Sequence, residues 1–257
     1  MDIIYGGLTP AAFWAACAVT LLAGYVKGAI GFAMPLIMMS LFTSFMTPEM
    51  ALAGLILAAV TTNIQQGLRD GLRAAWATTV EYRRMIIAIV IGIAITSPFI
   101  EVLPQRLLVA MLGVMVVAFG LMQLSGRKMV LRPEHRNAAE WILGLIGGLY
   151  GGVSGIWGPT TVIFLLAIGT AKAESIRVQG VIYLIGAVIL FLAHLKSGLL
   201  DAVTLPFSAA LVVPAFIGMW LGRYTGDRLD AARFRYWTLV LLMLTALNLI
   251  RRAIFWG

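Results

Sequence analysis

One charged side chain, Lys27, lies well inside the apolar stretch of residues 11–45. Ionisable groups inside apolar membrane segments are rare and usually serve a function. Gly28, Gly31 and Pro35 follow it, and because glycine weakens a helix and proline removes a helix hydrogen bond, a break is predicted here. A cation beside such a break could bind an anion. The alternative is that the Lys27 amine extends to the membrane surface.

A second glycine-rich break lies within the apolar stretch of residues 138–168 and ends at Pro159. A helix that starts inside a membrane presents unpaired N–H groups and a partial positive charge, and proline fits its first turn. Hydroxyls at Ser154 and Thr160 could add donors, or could bond the local backbone instead. The chemistry of such a site is anion binding by backbone N–H groups.

We therefore expect the two breaks to face each other and to hold an anion between them. Polar residues on the spans that follow could also contact it, although hydrogen bonding between helices is their alternative role. No catalytic residue, metal ligand or cofactor is expected. The candidate substrate-binding residues are Lys27, Gly28, Gly31, Phe32, Met34, Pro35, Asn63, Gly152, Ser154, Gly155, Trp157, Gly158, Pro159, Thr160 and Gln179.

The composition requires lipid as the solvent. Apolar residues make up 61% of the 257 residues and charged residues 12%, against about 45–50% and about 25% in soluble domains. The net charge of +8 does not indicate nucleic-acid binding, because the basic residues lie in short gaps between apolar runs. The single cysteine, Cys17, has no metal-ligand spacing and is expected to pack as a small apolar residue.

The apolar runs predict an all-α, polytopic membrane protein. Six runs have the length of one span, at residues 48–66, 85–103, 107–124, 176–195, 203–221 and 236–254. As single helices, the two runs with breaks would measure about 52 Å and about 46 Å, against a hydrocarbon core of about 30 Å. Each is interpreted as two helical pieces, which gives eight long spans or ten pieces, with broken or re-entrant helices. One long kinked helix is the alternative.

The chain also repeats itself. At an offset of 124 residues Gly24 matches Gly148, Gly28 matches Gly152, Gly31 matches Gly155 and Pro35 matches Pro159. At an offset of 126 Ile91 matches Ile217, Gly92 matches Gly218, Glu101 matches Asp227 and Leu103 matches Leu229. The predicted organisation is a first repeat at 1–125, a cytoplasmic linker at 126–137 and a second repeat at 138–257.

Basic residues predict the orientation. Three basic segments, at 69–84, 126–137 and 223–235, should be cytoplasmic. If each broken stretch makes two passes or re-enters, fourteen of the nineteen basic residues lie inside and both termini lie outside. The two repeats are then inverted, which is typical of secondary transporters with broken helices near the midplane.

The same motifs carry a family resemblance. The segment Gly24-Tyr-Val-Lys-Gly-Ala-Ile-Gly-Phe-Ala-Met-Pro35 resembles the first glycine motif of the TauE/SafE sulfite-exporter family, and Gly148-Leu-Tyr-Gly-Gly-Val-Ser-Gly-Ile-Trp-Gly-Pro159 resembles the second. The stretch from Val213 to Gly222, with Arg223, is similar to the late signature of that family. Phe32, Ala33 and Met34 replace its usual denser glycine run. The resemblance implies a bacterial inner-membrane carrier of small anions such as sulfite or organosulfonates, usually outward.

Two alternatives remain open. Gly152-Val-Ser-Gly155 matches the G-x-S-G pattern of rhomboid intramembrane proteases, which would pair Ser154 with His194. Against this, Ile30 replaces the serine in the first repeat, and His194 is expected at a membrane interface beside Lys196. A passive anion channel could be built from the same residues as a transporter.

Overall fold

The computed structural model describes residues 2–100, 102–126, 130–226 and 231–255, and within them every regular element is a helix. This confirms the all-α prediction. Three short 3₁₀ turns lie at Asp2–Tyr5, Ser97–Phe99 and Pro133–His135. The α-helices are α1 Pro10–Ile30, α2 Met34–Phe42, α3 Pro48–Gly67, α4 Leu72–Glu81, α5 Arg83–Thr96, α6 Gln105–Leu124, α7 Arg136–Ser154, α8 Gly158–Ala167, α9 Lys172–Ser197, α10 Thr204–Ala210, α11 Val212–Gly226 and α12 Ala231–Phe255.

Both long apolar stretches are broken where glycine and proline predicted. The first divides between α1 and α2, and the second divides between α7 and α8. The second pieces have 9 and 10 residues, or about 15 Å of helix, which is half of a hydrocarbon core. The alternative of one continuous kinked helix is therefore wrong for both stretches.

Four helices in the described part of the chain are long and apolar enough to cross a membrane. They are α1, α6, α9 from Ala173, and α10 with α11 taken together from Thr204 to Thr225. A fifth span results if α3 and α4 are counted as one bent pair. The chain is thus a multi-pass membrane protein by these helices, and the count of eight spans stays a prediction.

Three segments differ from their predicted form. The basic gap at 69–84 was expected to be a loop, but it contains α4, which turns away from α3 by 103°. The span predicted at 85–103 is shorter, because α5 gives way to a 3₁₀ turn around Pro98. The span predicted at 203–221 divides at Leu211, because Pro214 has no N–H to donate to the carbonyl of Ala210.

The described helices form two compact units. Unit 1 contains residues 1–58, 101–127 and 199–257, and within it α1 packs on α11 and α6 packs on α12. Unit 2 contains residues 59–100 and 128–198, and within it α7 packs on α5 and α9 packs on α4 and α5. Each unit thus combines segments from both sequence halves.

The close helix pair in each unit depends on the same repeated glycines. In unit 1 a methyl group added at Gly24 would overlap the carbonyl of Ala215, and one added at Gly28 would overlap that of Met219. In unit 2 the same substitution at Gly148 would overlap the carbonyl of Ile89. These pairs are related by the offsets of 124 and 126 residues, so the repeat extends from sequence to contacts. Small residues permit such close packing of helices in membranes.

Some predicted features lie outside the described residues. They are the matches of Glu101 with Asp227 and of Leu103 with Leu229, and the basic side chains of Arg127, Lys128 and Arg228.

Candidate functional site

The first break is a left-handed turn between two helices of unit 1. Gly31 ends α1 with φ +86°, and its N–H donates to the carbonyl of Lys27 at 2.7 Å. Two residues on, Ala33 also has a positive φ, +78°, and α2 starts directly after it. Pro35 is the second residue of α2, not the first as predicted, and proline is tolerated there too because the first four N–H groups of a helix have no partner within the helix.

The side chains around the first break are buried. Lys27 lies in the last turn of α1 with 3% of its surface exposed, so it does not extend to the outer surface of the chain. Met34 is buried at the start of α2. Phe32 packs edge to face on Phe119 of α6, with the ring centroids 6.1 Å apart. A buried lysine beside a helix start is the strongest feature of this break, because ionisable side chains inside membrane segments are rare and usually serve a function.

The second break repeats the left-handed glycine cap in unit 2, but not the positive φ of Ala33, because its counterpart Trp157 has φ −112°. Gly155 ends α7 with φ +70°, and its N–H donates to the carbonyl of Gly151 at 2.7 Å, the position equivalent to Lys27. Pro159 is the second residue of α8, as Pro35 is of α2. Gly152 packs against the last turn of α5, where a methyl group would overlap the hydroxyl of Thr96.

The hydroxyls of the second break bond the local backbone. Ser154 Oγ donates to the carbonyl of Tyr150 at 2.8 Å and accepts the N–H of Ile156 at 3.2 Å. Thr160 Oγ1 donates to the carbonyl of Trp157 at 3.0 Å, and Thr161 Oγ1 donates to the same oxygen at 3.2 Å. This is the alternative that the sequence left open, and these hydroxyls would have to rotate to donate to an anion.

Trp157 packs between two helices of unit 2. A methyl group added at Gly151 of α7 or at Gly186 of α9 would lie 2.6 or 2.8 Å from its ring. Tyr183, also on α9, donates its hydroxyl to the carbonyl of Gly158 at 3.2 Å. The start of α8 is therefore fixed by a ring packed between glycines and by a tyrosine hydrogen bond.

His194 is buried in the last turn of α9, two residues before Lys196, and its position at a membrane interface stays a prediction. Its Nε2 lies 3.0 Å from the carbonyl of Gly152, one of the last carbonyls of α7, and its Nδ1 lies 3.4 Å from Ser197 Oγ. No hydrogen bond joins Ser154 to His194 in the described structure. The serine–histidine pair that a rhomboid-like protease requires is thus not formed.

The two polar candidates on the following spans both belong to unit 2. Asn63 is buried on α3. Gln179 is buried on α9, where its Nε2 donates to Ser175 Oγ at 2.9 Å. Gln66, one turn from Asn63, donates to the carbonyl of Ile176 at 2.9 Å, so this part of α3 is joined to α9 by a polar contact.

Sequence reasoning identified Gln179 on α9 as a candidate but missed Tyr183 and Gly186 on the same face. Gln179, Tyr183, Gly186 and His194 follow one another at intervals of four, three and eight residues, and all of them are buried. This spacing places them on one face of a helix. Polar residues and a glycine at this spacing within an apolar helix were a signal that could have identified the contact face.

The profile of one protein family matches nearly the whole chain. That family is described as "Sulfite exporter TauE/SafE", and the match covers residues 16–249. It includes both breaks and the helices packed on them. Comparisons with curated proteins and with solved structures gave no match.

Proposed function

Because the chain belongs to the sulfite exporter TauE/SafE family, we propose that it is a secondary transporter that carries a small anion, such as sulfite or an organosulfonate, out of the cell. The helices long enough to span a membrane support this function. It is also supported by the described hydrogen bonds, in which Ser154 and His194 bond backbone carbonyls and not each other.

The observation that carries the proposal is the pair of left-handed glycine caps, Gly31 and Gly155, each followed by a short helix with proline in its first turn. Each break supplies a helix N-terminus at which an anion can bind. Removing an anion from water is costly, so several donors must converge on it. Backbone N–H groups and the helix dipole stabilise an anion without a permanent charge that would trap it.

Lys27 adds a buried basic side chain to this proposal. Its ammonium group is buried in unit 1, in the last turn before Gly31. A hydrogen bond to a charged group contributes about 1.5–3 kcal/mol, which is enough to favour an anion over a neutral solute. The hydroxyls of Ser154 and Thr160 and the amides of Asn63 and Gln179 are secondary donors that must leave their present partners.

Flux measurements in proteoliposomes test the function. We expect the purified protein to move sulfite or a sulfonate faster than carboxylates or chloride. A carrier that is loaded on one side should also accelerate uptake of labelled anion from the other side, whereas a passive channel should not. Equal flux of all anions without this acceleration would contradict the proposal and favour the channel.

In the proposed orientation the protein lies in the inner membrane of a bacterium, and both termini are on the outer side of that membrane. The motive is the concentration of basic residues at 69–84, 126–137 and 223–235, which favours the cytoplasmic side. Cysteines introduced at Arg132 and at Gly257, in a chain with Cys17→Ala, should react with impermeant reagents from opposite sides. Labelling of both from the same side would contradict the inverted-repeat arrangement.

A further inference from the structure

Helix α4 has an apolar face that is turned away from the protein. Leu72, Trp76 and Val80 are 75%, 70% and 43% exposed. They are spaced four residues apart and therefore share one side of the helix. Ala75 and Thr78, on another side, are buried where α4 packs on α9. Contiguous exposed apolar residues of this kind identify an interaction surface.

The direction of α4 identifies the solvent that this face meets. The helix turns by 103° from α3, so if α3 crosses the bilayer, α4 runs nearly parallel to its plane. At 10 residues, or about 15 Å, α4 is too short to span the bilayer. Helices that lie in the interface place their apolar side among acyl chains and often carry tryptophan at the level of the headgroups.

The charge around α4 identifies the headgroups. Arg69 and Arg73 lie before and within the first turn of α4, Arg83 and Arg84 follow its last turn, and all four have exposed or partly exposed side chains. The nearby acids are engaged by other arginines. Asp70 pairs with Arg177 at 3.6 Å, and Glu81 pairs with Arg136 at 3.0 Å. The surface beside the apolar face is therefore basic.

From this placement we propose that α4 and its flanking arginines form a binding site for anionic phospholipids, with Leu72, Trp76 and Val80 among the acyl chains and the arginines on the phosphates. The apolar face commits the site to lipid, because a soluble phosphate would leave that face in water. A basic residue near an anionic membrane surface gains enough attraction to change the affinity about fivefold. The proposal requires membrane insertion but does not depend on which anion is transported.

Depth measurements on the full chain test the position of α4. In the Cys17→Ala background, an environment-sensitive fluorophore is attached at Trp76→Cys or, as the matched control, at Ala77→Cys, which is also exposed but lies on another side of the helix. We expect spin-labelled lipid to quench the probe at 76, and aqueous iodide to quench the probe at 77. Iodide quenching at 76 would overturn the proposal. Shielding of position 76 from both quenchers, in a protein that runs as a dimer, would overturn it in favour of a second copy.

The preference of the protein for anionic over zwitterionic lipid tests the role of the arginines. The association of spin-labelled phosphatidylglycerol is compared with that of spin-labelled phosphatidylcholine in reconstituted protein. Arg69→Gln with Arg73→Gln should reduce this preference about fivefold for each arginine. Lys196→Gln with Arg251→Gln removes two exposed positive charges elsewhere and should leave it unchanged. An unchanged preference in the first pair, or an equal loss in both pairs, would overturn the proposal.

Discussion

The two helix breaks share a left-handed glycine cap and a proline in the first turn of the next helix, and they differ in their side chains. Gly31 and Gly155 both have a left-handed conformation, and each is the C-terminal cap of its helix. The first break contains the buried cation Lys27, whereas the position equivalent to it in the second is Gly151. The second break instead contains hydroxyls that bond their own backbone and the buried His194.

The difference between the two breaks distinguishes their shared structural role from a role specific to each. A feature present in both breaks serves what both must do, which is to end one helix and start another. A feature present in one break serves something specific to it. We therefore propose that the first break recognises the charge of the anion and that the second break holds the start of a helix in a fixed position. The following experiments test that division.

The largest effect on transport is expected from substitutions of the two glycine caps. Gly31→Leu and Gly155→Leu should each abolish transport while the protein still inserts. A leucine at positive φ costs about 1–2 kcal/mol and places a side chain where the backbone must stay accessible. Flux in proteoliposomes and the amount of membrane-inserted protein measure the two properties.

The matched control for both leucine variants is Gly198→Leu. Gly198 has φ +89°, and a Cβ atom added there would meet no atom within 4 Å beyond its chain neighbours, so the backbone strain is similar but no break is affected. This variant should keep its transport. Wild-type flux in either break variant would show that the glycine serves helix packing alone at that break.

The next largest effect is a loss of anion affinity, and it should follow from a substitution in the first break only. Lys27→Met keeps the length and the apolar stem but removes the charge, and it should weaken anion binding by about 1.5–3 kcal/mol. Titration calorimetry with sulfite or a sulfonate measures the affinity. Lys196→Met, at an exposed lysine, is the control and should bind as the wild type does. An unchanged affinity of the Lys27→Met variant for the anion would contradict a role of the first break in recognising charge.

A smaller effect is expected in the second break only. His194→Ala leaves the carbonyl of Gly152 without its imidazole partner and should lower the free energy of unfolding by about 1–2 kcal/mol. Thermal unfolding in detergent measures this change. His135, the other histidine, is exposed, so His135→Ala should have no effect. Equal stability of the two variants would contradict a positioning role for His194.

The smallest effect concerns Ala33, the one non-glycine residue with positive φ in the described chain. Its counterpart in the second break, Trp157, has φ −112°. Ala33→Gly should stabilise the protein by about 1 kcal/mol, because glycine adopts this conformation without steric cost. Ala29→Gly, within α1, should instead destabilise it by about 0.5–1 kcal/mol. Thermal unfolding of the two variants should therefore shift in opposite directions.

The sequence by itself determined the helical class, the two breaks and the repeated glycines. These features depend on neighbouring residues, because the length of an apolar run, a proline or a glycine acts on the helix that contains it. The family resemblance followed from the same motifs and was confirmed by the profile match over residues 16–249.

Tertiary structure decided which distant residues the glycines and His194 contact. Gly24 lies against Ala215, and His194 lies against the carbonyl of Gly152. Such pairs are remote in the chain, and no local pattern specifies them. The hydroxyls of Ser154 and Thr160, by contrast, bond carbonyls four and three residues earlier in the chain, so their contacts are local. The bend into α4 was likewise not visible in its composition, because the sequence shows where a helix can end but not the direction of the next.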